Sequence, residues 1–240
     1  MSLLRSTIEL TNRVMAKVRS KRRVKVPSDF KSVRLNLGCG LAVTKGWINV
    51  DGSLNALVAS MPAFVHRLMY RVTGARAYYS ENEFCQLLGE HVFIHHNLAA
   101  GIPLEDEVAD YIFSSHFFEH LYQNEASHLL TDCHRVLKEG GLLRISIPDL
   151  EYAIGLYKNG EKENMLKSYF FVEDGDNDFS RHKYMYDFDM LSAILSEIGF
   201  REITRRKFQE GKLPDINLLD NRPEDSLFVE ARKIIRNETL

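Results

Sequence analysis

The stretch Arg34-Leu35-Asn36-Leu37-Gly38-Cys39-Gly40 constrains the fold more than any other part of the chain, because an apolar run stops there in a Gly-x-Gly turn. A second run, Trp47-Ile48-Asn49-Val50, ends in Asp51, eleven residues past Gly40. A buried strand, a turn that only glycine negotiates and an acid at the tip of the next strand form a nucleoside-binding edge. Glycine lets the backbone approach a ligand, and a carboxylate accepts hydrogen bonds from ribose hydroxyls.

The spacing discriminates between nucleosides. A dinucleotide site needs a third Gly or Ala three residues after the second, opening a helix whose N-terminus holds the pyrophosphate; Val43 stands at that position. Leu41 to Gly46 leaves room for about one helical turn, and Asp51 falls well short of the roughly 20-residue offset of a dinucleotide site. S-adenosylmethionine carries a ribose and an adenine but no phosphate, so it needs the glycines and the acid without the long helix.

Further along, Val92–His96 and Asp110–Phe113 read as strands ending at Asn97 and at Ser114-Ser115-His116. Leu121–Leu137 has one apolar helical face, closed by Gly140-Gly141, and Leu142–Ile147 is a strand stopped by Pro148. Alternation of strands and helices predicts a mostly parallel sheet with helices on both faces and a ligand at the carboxyl ends of the strands. Residues 52–91 form a long insertion between the second and third strands, which places them over the active site or in a subunit contact. Residues 150–186 read as a lid, Asp187 caps a helix ending at Gly199, and Glu202–Phe208 and Ser226–Ala231 make a last strand pair.

Composition sets the outer limits. The 240 residues suit one domain, 34–240, preceded by a basic segment, 1–33. Cys39, Cys85 and Cys133 are widely spaced and contain no Cys-x-x-Cys pair, which argues against disulfides and structural zinc and for the cytoplasm. Residues 1–34 hold ten Lys or Arg against Glu9 and Asp29, a net of +8 in a chain of net −2, leaving −10 for the rest. With Leu3, Leu4, Ile8, Leu10, Val14, Met15 and Val18 at helical spacing, this segment predicts a basic amphipathic helix. Residues 1–25 are therefore a candidate for weak contact with an anionic membrane surface, with no strong nucleic-acid signal.

Six further stretches accompany the opening turn: Gly46–Asp51, Ser114–Leu121, Arg135–Gly141, Arg144–Glu151, His182–Asp187 and Ser226–Arg232. In this order they resemble the class I S-adenosylmethionine-dependent methyltransferases over most of residues 34–232. The resemblance implies a three-layer, doubly wound, Rossmann-like α/β fold with a seven-stranded, mostly parallel sheet and one antiparallel strand. It implies S-adenosylmethionine as cofactor, with Gly38, Cys39 and Gly40 beneath its methionine and ribose and Asp51 on the ribose hydroxyls. Asn97 would meet the adenine amino group, where the family usually has an acid; Leu98 would pack on the adenine, and Ser114 and Ser115 would face the methionine amine or the methyl.

The catalytic candidates are His116, Glu119, His120 and His182. Histidine is readily poised near neutral pH, and a hydroxyl acceptor benefits from a base. The string His116-x-x-Glu119-His120 matches an inverted zinc-peptidase motif, but that motif needs both histidines on a helix, and here the first ends a strand. Some related quinone methyltransferases hold a divalent ion on a Glu-His pair at this place; no metal ligands are assigned from this sequence. Asp149, Tyr184 and Tyr186 are further candidates for the acceptor pocket. The acceptor that family context implies is a small polar molecule, a sugar or lipid-linked saccharide hydroxyl. The competing readings are a non-catalytic nucleoside-binding regulator and a membrane- or RNA-associated methyltransferase recruited by the basic N-terminus; a homodimer is a further expectation.

Overall fold

A computed structural model describes residues 23–26, 30–72, 74–170 and 181–234. The expected N-terminal helix and the acidic run Asp174–Asp178 lie outside these residues. Seven strands form one sheet: β1 (Arg34–Leu37), β2 (Ile48–Asp51), β3 (Val92–His95), β4 (Ala109–Ser115), β5 (Leu137–Pro148), β6 (Phe200–Arg206) and β7 (Ser226–Lys233). Their order is β3-β2-β1-β4-β5-β7-β6, with β7 antiparallel to both its neighbours and every other pairing parallel. The chain therefore has the doubly wound α/β architecture with a single antiparallel strand.

The order reverses between β1 and β4, whose tips pair Leu37 with Ser114. Their connections leave toward opposite sides, and this divergence opens the crevice in which such sheets bind ligands. Leu35, Leu37, Ile48 and Val50 are buried, as strands covered on both faces require. Asn36 and Asn49 are also buried. Their amides link laterally, Asn36 to the Ala42 carbonyl and to Asn49, and Asn49 to the Val92 carbonyl, so both buried amides are hydrogen-bonded across the three strands.

Helices fill the layers: α1 (Leu54–Val58), α2 (Ala63–Val72), α3 (Glu81–Glu90), α4 (Gln123–Val136), α5 (Leu150–Lys158), α6 (Lys162–Met165), α7 (Phe188–Ile198) and α8 (Ile216–Leu219). Ala126, Leu129, Leu130, Cys133 and Val136 of α4 and Leu191 and Leu195 of α7 join the main core. Asp187 caps α7 by accepting the Met190 amide at 2.8 Å, and Gly199 ends it in the left-handed conformation. The insertion splits at Pro62 into α1 and α2 and builds its own small core from Val58, Met69, Ala75, Phe84 and Leu88. Among the described residues no helix is long and apolar enough to cross a membrane.

One element departs from expectation. Gly140-Gly141 does not close α4; Leu137 already turns extended, and both glycines lie inside a β5 that starts at Leu137. Gly140 takes φ +75°, and a Cβ on Gly141 would fall 2.9 Å from Leu137 and from the Lys138 carbonyl. The glycines absorb the register shift between Ala109 and Tyr111 on β4.

Arg144, in mid-β5, is fully buried. Its guanidinium forks onto Asp220 at 2.6 and 3.1 Å, reaches Glu230 at 3.3 Å, and donates to the Lys207 and Glu210 carbonyls. Glu230 in turn accepts the Lys212 and Leu213 amides. This network ties the 207–220 connection to the sheet. Replacing Arg144 by Met leaves the buried Asp220 carboxylate without its cation and Glu230 with Arg206 alone, and a loss of about 3–5 kcal/mol is expected in urea unfolding. Asp187→Ala, which removes only a cap, should lose about 1 kcal/mol.

Candidate active site

The turn after β1 holds Gly38 at φ +66° and Gly40 at φ +54°. The two glycines are needed for different reasons. A Cβ on Gly38 would sit 2.1 Å from the Phe117 ring, whereas a Cβ on Gly40 would meet nothing within 4 Å. Gly40 therefore presents open backbone to the crevice. Its amide donates to Asp51 Oδ2 at 2.8 Å, and the Ser53 amide donates to Oδ1 at 2.6 Å. Asp51 is thus fixed before any ligand arrives, and each of its oxygens keeps a lone pair for a ribose hydroxyl. Between the glycines, burial first and then the Asp51 carboxylate push the Cys39 thiol well up, so it stays protonated.

On the far side of β2, Asn97 is exposed and caps the turn Leu98–Ala100, its amide oxygen accepting the Ala99 amide at 3.2 Å. Leu98 is buried in the main core. Ser114 lies at the crevice with its hydroxyl donating to the Leu37 carbonyl at 3.0 Å, so it clamps the two strand tips. Ser115 points its hydroxyl to Asn221 Oδ1 at 3.3 Å.

Past β4 the chain turns sharply. His116 takes φ +49°, an uncommon conformation for a non-glycine residue, and its amide is held by the Ser146 carbonyl at 2.8 Å. Its Nε2 lies 2.9 Å from Ser226 Oγ and its Nδ1 3.4 Å from Glu119 Oε1. Glu119, on the short turn Phe118–His120, has a side chain 1% exposed, and neither oxygen takes part in a hydrogen bond among the described residues. His120 Nε2 is 3.8 Å from the same carboxylate oxygen, and the His120 and His182 rings stand 5.2 Å apart. Four sequence candidates from two distant segments, His116, Glu119, His120 and His182, therefore converge.

The imidazoles are oriented by backbone. His120 Nδ1 lies 3.2 Å from the Arg181 carbonyl and His182 Nδ1 2.7 Å from the Tyr169 carbonyl. A nitrogen facing a carbonyl must carry the proton, which leaves a lone pair on each Nε2. Burial pushes the His182 pKa down against the opposing pull of Glu119, so this ring is neutral at pH 7. The donor atoms of Glu119, His120 and His182 lie within 4.8 Å of one another; two imidazoles and a carboxylate are a set that zinc or ferrous iron accepts. Nearby, the buried Tyr186 hydroxyl makes no hydrogen bond, and its pKa is pushed up to about 12 by burial, then by Tyr184 and Glu119.

Two neighbours escaped the sequence reading, Ser226 and Asn221. Ser226 opens the antiparallel β7, so its amino end lies on the same edge as the carboxyl ends of the parallel strands. That reversal was the available signal. Asn221 follows directly on the Arg144-bound Asp220 and has no motif of its own.

The family model described as a methyltransferase domain matches residues 52–145, from just past Asp51 into β5. Residues 52–145 are thereby assigned to a methyltransferase domain. The open Gly40 backbone and the preset Asp51 carboxylate have the form that suits the ribose of S-adenosylmethionine. Among solved structures, the S-adenosylmethionine-dependent methyltransferase SibL is 15% identical with a TM-score of 0.51, covering 97% of this chain and 57% of its own; that likeness is one of fold. A possible histamine N-methyltransferase from Thermotoga maritima is 17% identical with a TM-score of 0.49, over 87% of this chain and 83% of its own. A methyltransferase from Archaeoglobus fulgidus is 16% identical, also at 0.49, over 94% of each chain. No curated protein matches the chain.

Asp51→Asn, which halves the acceptor capacity while keeping shape, should weaken S-adenosylhomocysteine binding by about 1–3 kcal/mol in calorimetry. Gly38→Ala should destabilise the methyltransferase more than Gly40→Ala, because it adds a clash with Phe117 to the same backbone strain. Thermal melts of the two variants check this.

Proposed function

We propose that this methyltransferase methylates a hydroxyl of a small saccharide-like acceptor, free or lipid-linked, in the cytoplasm. The observation that carries the reading is His116, held between Ser226 and the buried Glu119 at the tip of β4. A sulfonium supplies an already activated methyl, so the chain's own task is to align the acceptor, exclude water and remove the hydroxyl proton. His116 takes that proton. The Glu119 carboxylate, 3.4 Å away and without a hydrogen bond of its own, stabilises the imidazolium that results.

This acceptor class is supported by an adjoining cleft of about 400 Å³, whose lining includes Tyr152, Asn164, Ser168, Tyr169, Asn221 and Asp225. Tilted tyrosine rings 6.3 Å apart beside amides, hydroxyls and a carboxylate suit a polyhydroxylated ring, which offers apolar faces and many donors. Asn221, in the lining of the cleft, accepts a hydrogen bond from Ser115 at the tip of β4. Residues 181–186 lie over the base region: the Glu119 carbonyl accepts the Lys183 and Tyr184 amides at 2.7 and 3.3 Å, in keeping with a lid that excludes water.

The test is transfer of labelled methyl to a panel of saccharides, matched amines and matched carboxylic acids. Hydroxyl methylation of a saccharide is expected; turnover of amines alone would refute the reading. With the acceptor in hand, His116→Ala should lower kcat by about 10²–10⁴-fold with S-adenosylhomocysteine affinity unchanged. Glu119→Gln should lower kcat less and shift the acidic limb of its pH profile.

A further inference from the structure

Helix α2 is amphipathic in an unusual sense, because both of its faces carry apolar side chains. Its inner face, with His66 and Met69, packs on Phe84 and Leu88 of α3, and His66 Nε2 binds the Val58 carbonyl at 3.0 Å. Its outer face sets Phe64, Leu68 and Val72 in one row at i, i+4 and i+8, 70%, 57% and 46% exposed. Met61 and Tyr78 extend the row, Tyr78 being 83% exposed.

The charges on this stretch are mostly positive. Residues 52–80 contain Arg67, Arg71 and Arg76 and no Asp or Glu. The acid that meets them is Glu81, 3.9 and 4.0 Å from Arg67 and Arg71, at the outer limit of an ion pair. Protruding apolar groups flanked by arginines need an occupant that is anionic and yields to side chains pushed into it. A second copy is a poor match: a two-fold contact would set three arginines against three, with one glutamate on each side to balance them. Nucleic acid supplies the charge but no apolar medium for Leu68 and Val72. An anionic lipid surface supplies both, taking the apolar row below the headgroups and the arginines at the phosphates.

We propose that the outer face of α2, centred on Phe64, Leu68, Arg67 and Arg71, is a membrane-interface contact for anionic lipid. Every variant keeps the basic segment 1–34, so a difference from wild type reports on the α2 face alone.

The full-length chain is co-sedimented with phosphatidylcholine vesicles, with and without phosphatidylserine. Binding to the phosphatidylserine vesicles alone is expected, and F64S/L68S and R67E/R71E should each weaken it by about tenfold or more. Calorimetric binding of S-adenosylhomocysteine should be unchanged, showing that both variants are folded. Absence of wild-type binding, equal binding to neutral vesicles, or wild-type affinity in either variant overturns the proposal. So does a dimer in sedimentation velocity that F64S/L68S dissolves, which would assign the face to a second copy.

Discussion

Asp51 accepts the Gly40 and Ser53 amides on its two carboxylate oxygens, at 2.8 and 2.6 Å, and so ties the turn after β1 to the start of the insertion. The parallel register of β1 and β2 brings the two partners together, and the Gly38 amide completes the link by donating to the Val50 carbonyl at 2.9 Å. A left-handed turn with glycine at two of three positions has high entropy when unrestrained. Here a charge-assisted hydrogen bond holds it. The carboxylate that orders the turn keeps a lone pair on each oxygen, so this candidate nucleoside edge is preset in the folded chain.

Glu119 is placed by the opposite logic. Asp51 has its amides, whereas Glu119 is as deeply buried and its oxygens have no hydrogen bond, only imidazoles at 3.4 and 3.8 Å. A buried carboxylate without donors is unfavourable, and folded proteins retain such groups mainly where chemistry uses them. The backbone carbonyl of the same residue is engaged, accepting the Lys183 and Tyr184 amides. Glu119 therefore joins the lid segment to the base region through its main chain and leaves its side chain for the site. The positive φ of His116 fits the same pattern, being local strain stored where the ring must face inward.

Local signals carried most of the fold. The apolar runs of β1 and β2, the Asp187 cap and the Gly199 stop each depend on residues within a few positions, and each is found where the sequence places it. Gly140-Gly141 misled because a glycine pair past a helix suits a C-cap and a strand irregularity equally; the partner strand β4, far away in sequence, decides between them. The candidate site shows the same division. The turn glycines and Asp51 are readable from spacing, but the inward commitment of Ser114 depends on its register with Leu37. The meeting of His182 with His120, and of Ser226 with His116, depends on tertiary contacts more than 60 and 100 residues apart in the chain. No periodicity reports such contacts.

The insertion shows how a surface can be added to a catalytic fold without disturbing it. Residues 52–91 leave the sheet just after Asp51 and return at β3, and they bury Val58, Met69, Phe84 and Leu88 against one another in a core separate from that of the sheet. Phe64, Leu68 and Val72 point away from that core, so substitutions on this outer face leave the strand register and the Asp51 contacts unchanged. An apolar row at Phe64, Leu68 and Val72 contributes nothing to that internal core, and its exposure to water is unfavourable. A chain net negative outside its first 34 residues that nevertheless keeps 52–80 free of acids has concentrated positive charge beside exposed apolar surface. Solubility alone would favour the reverse arrangement, with polar residues along the row and acids among the arginines.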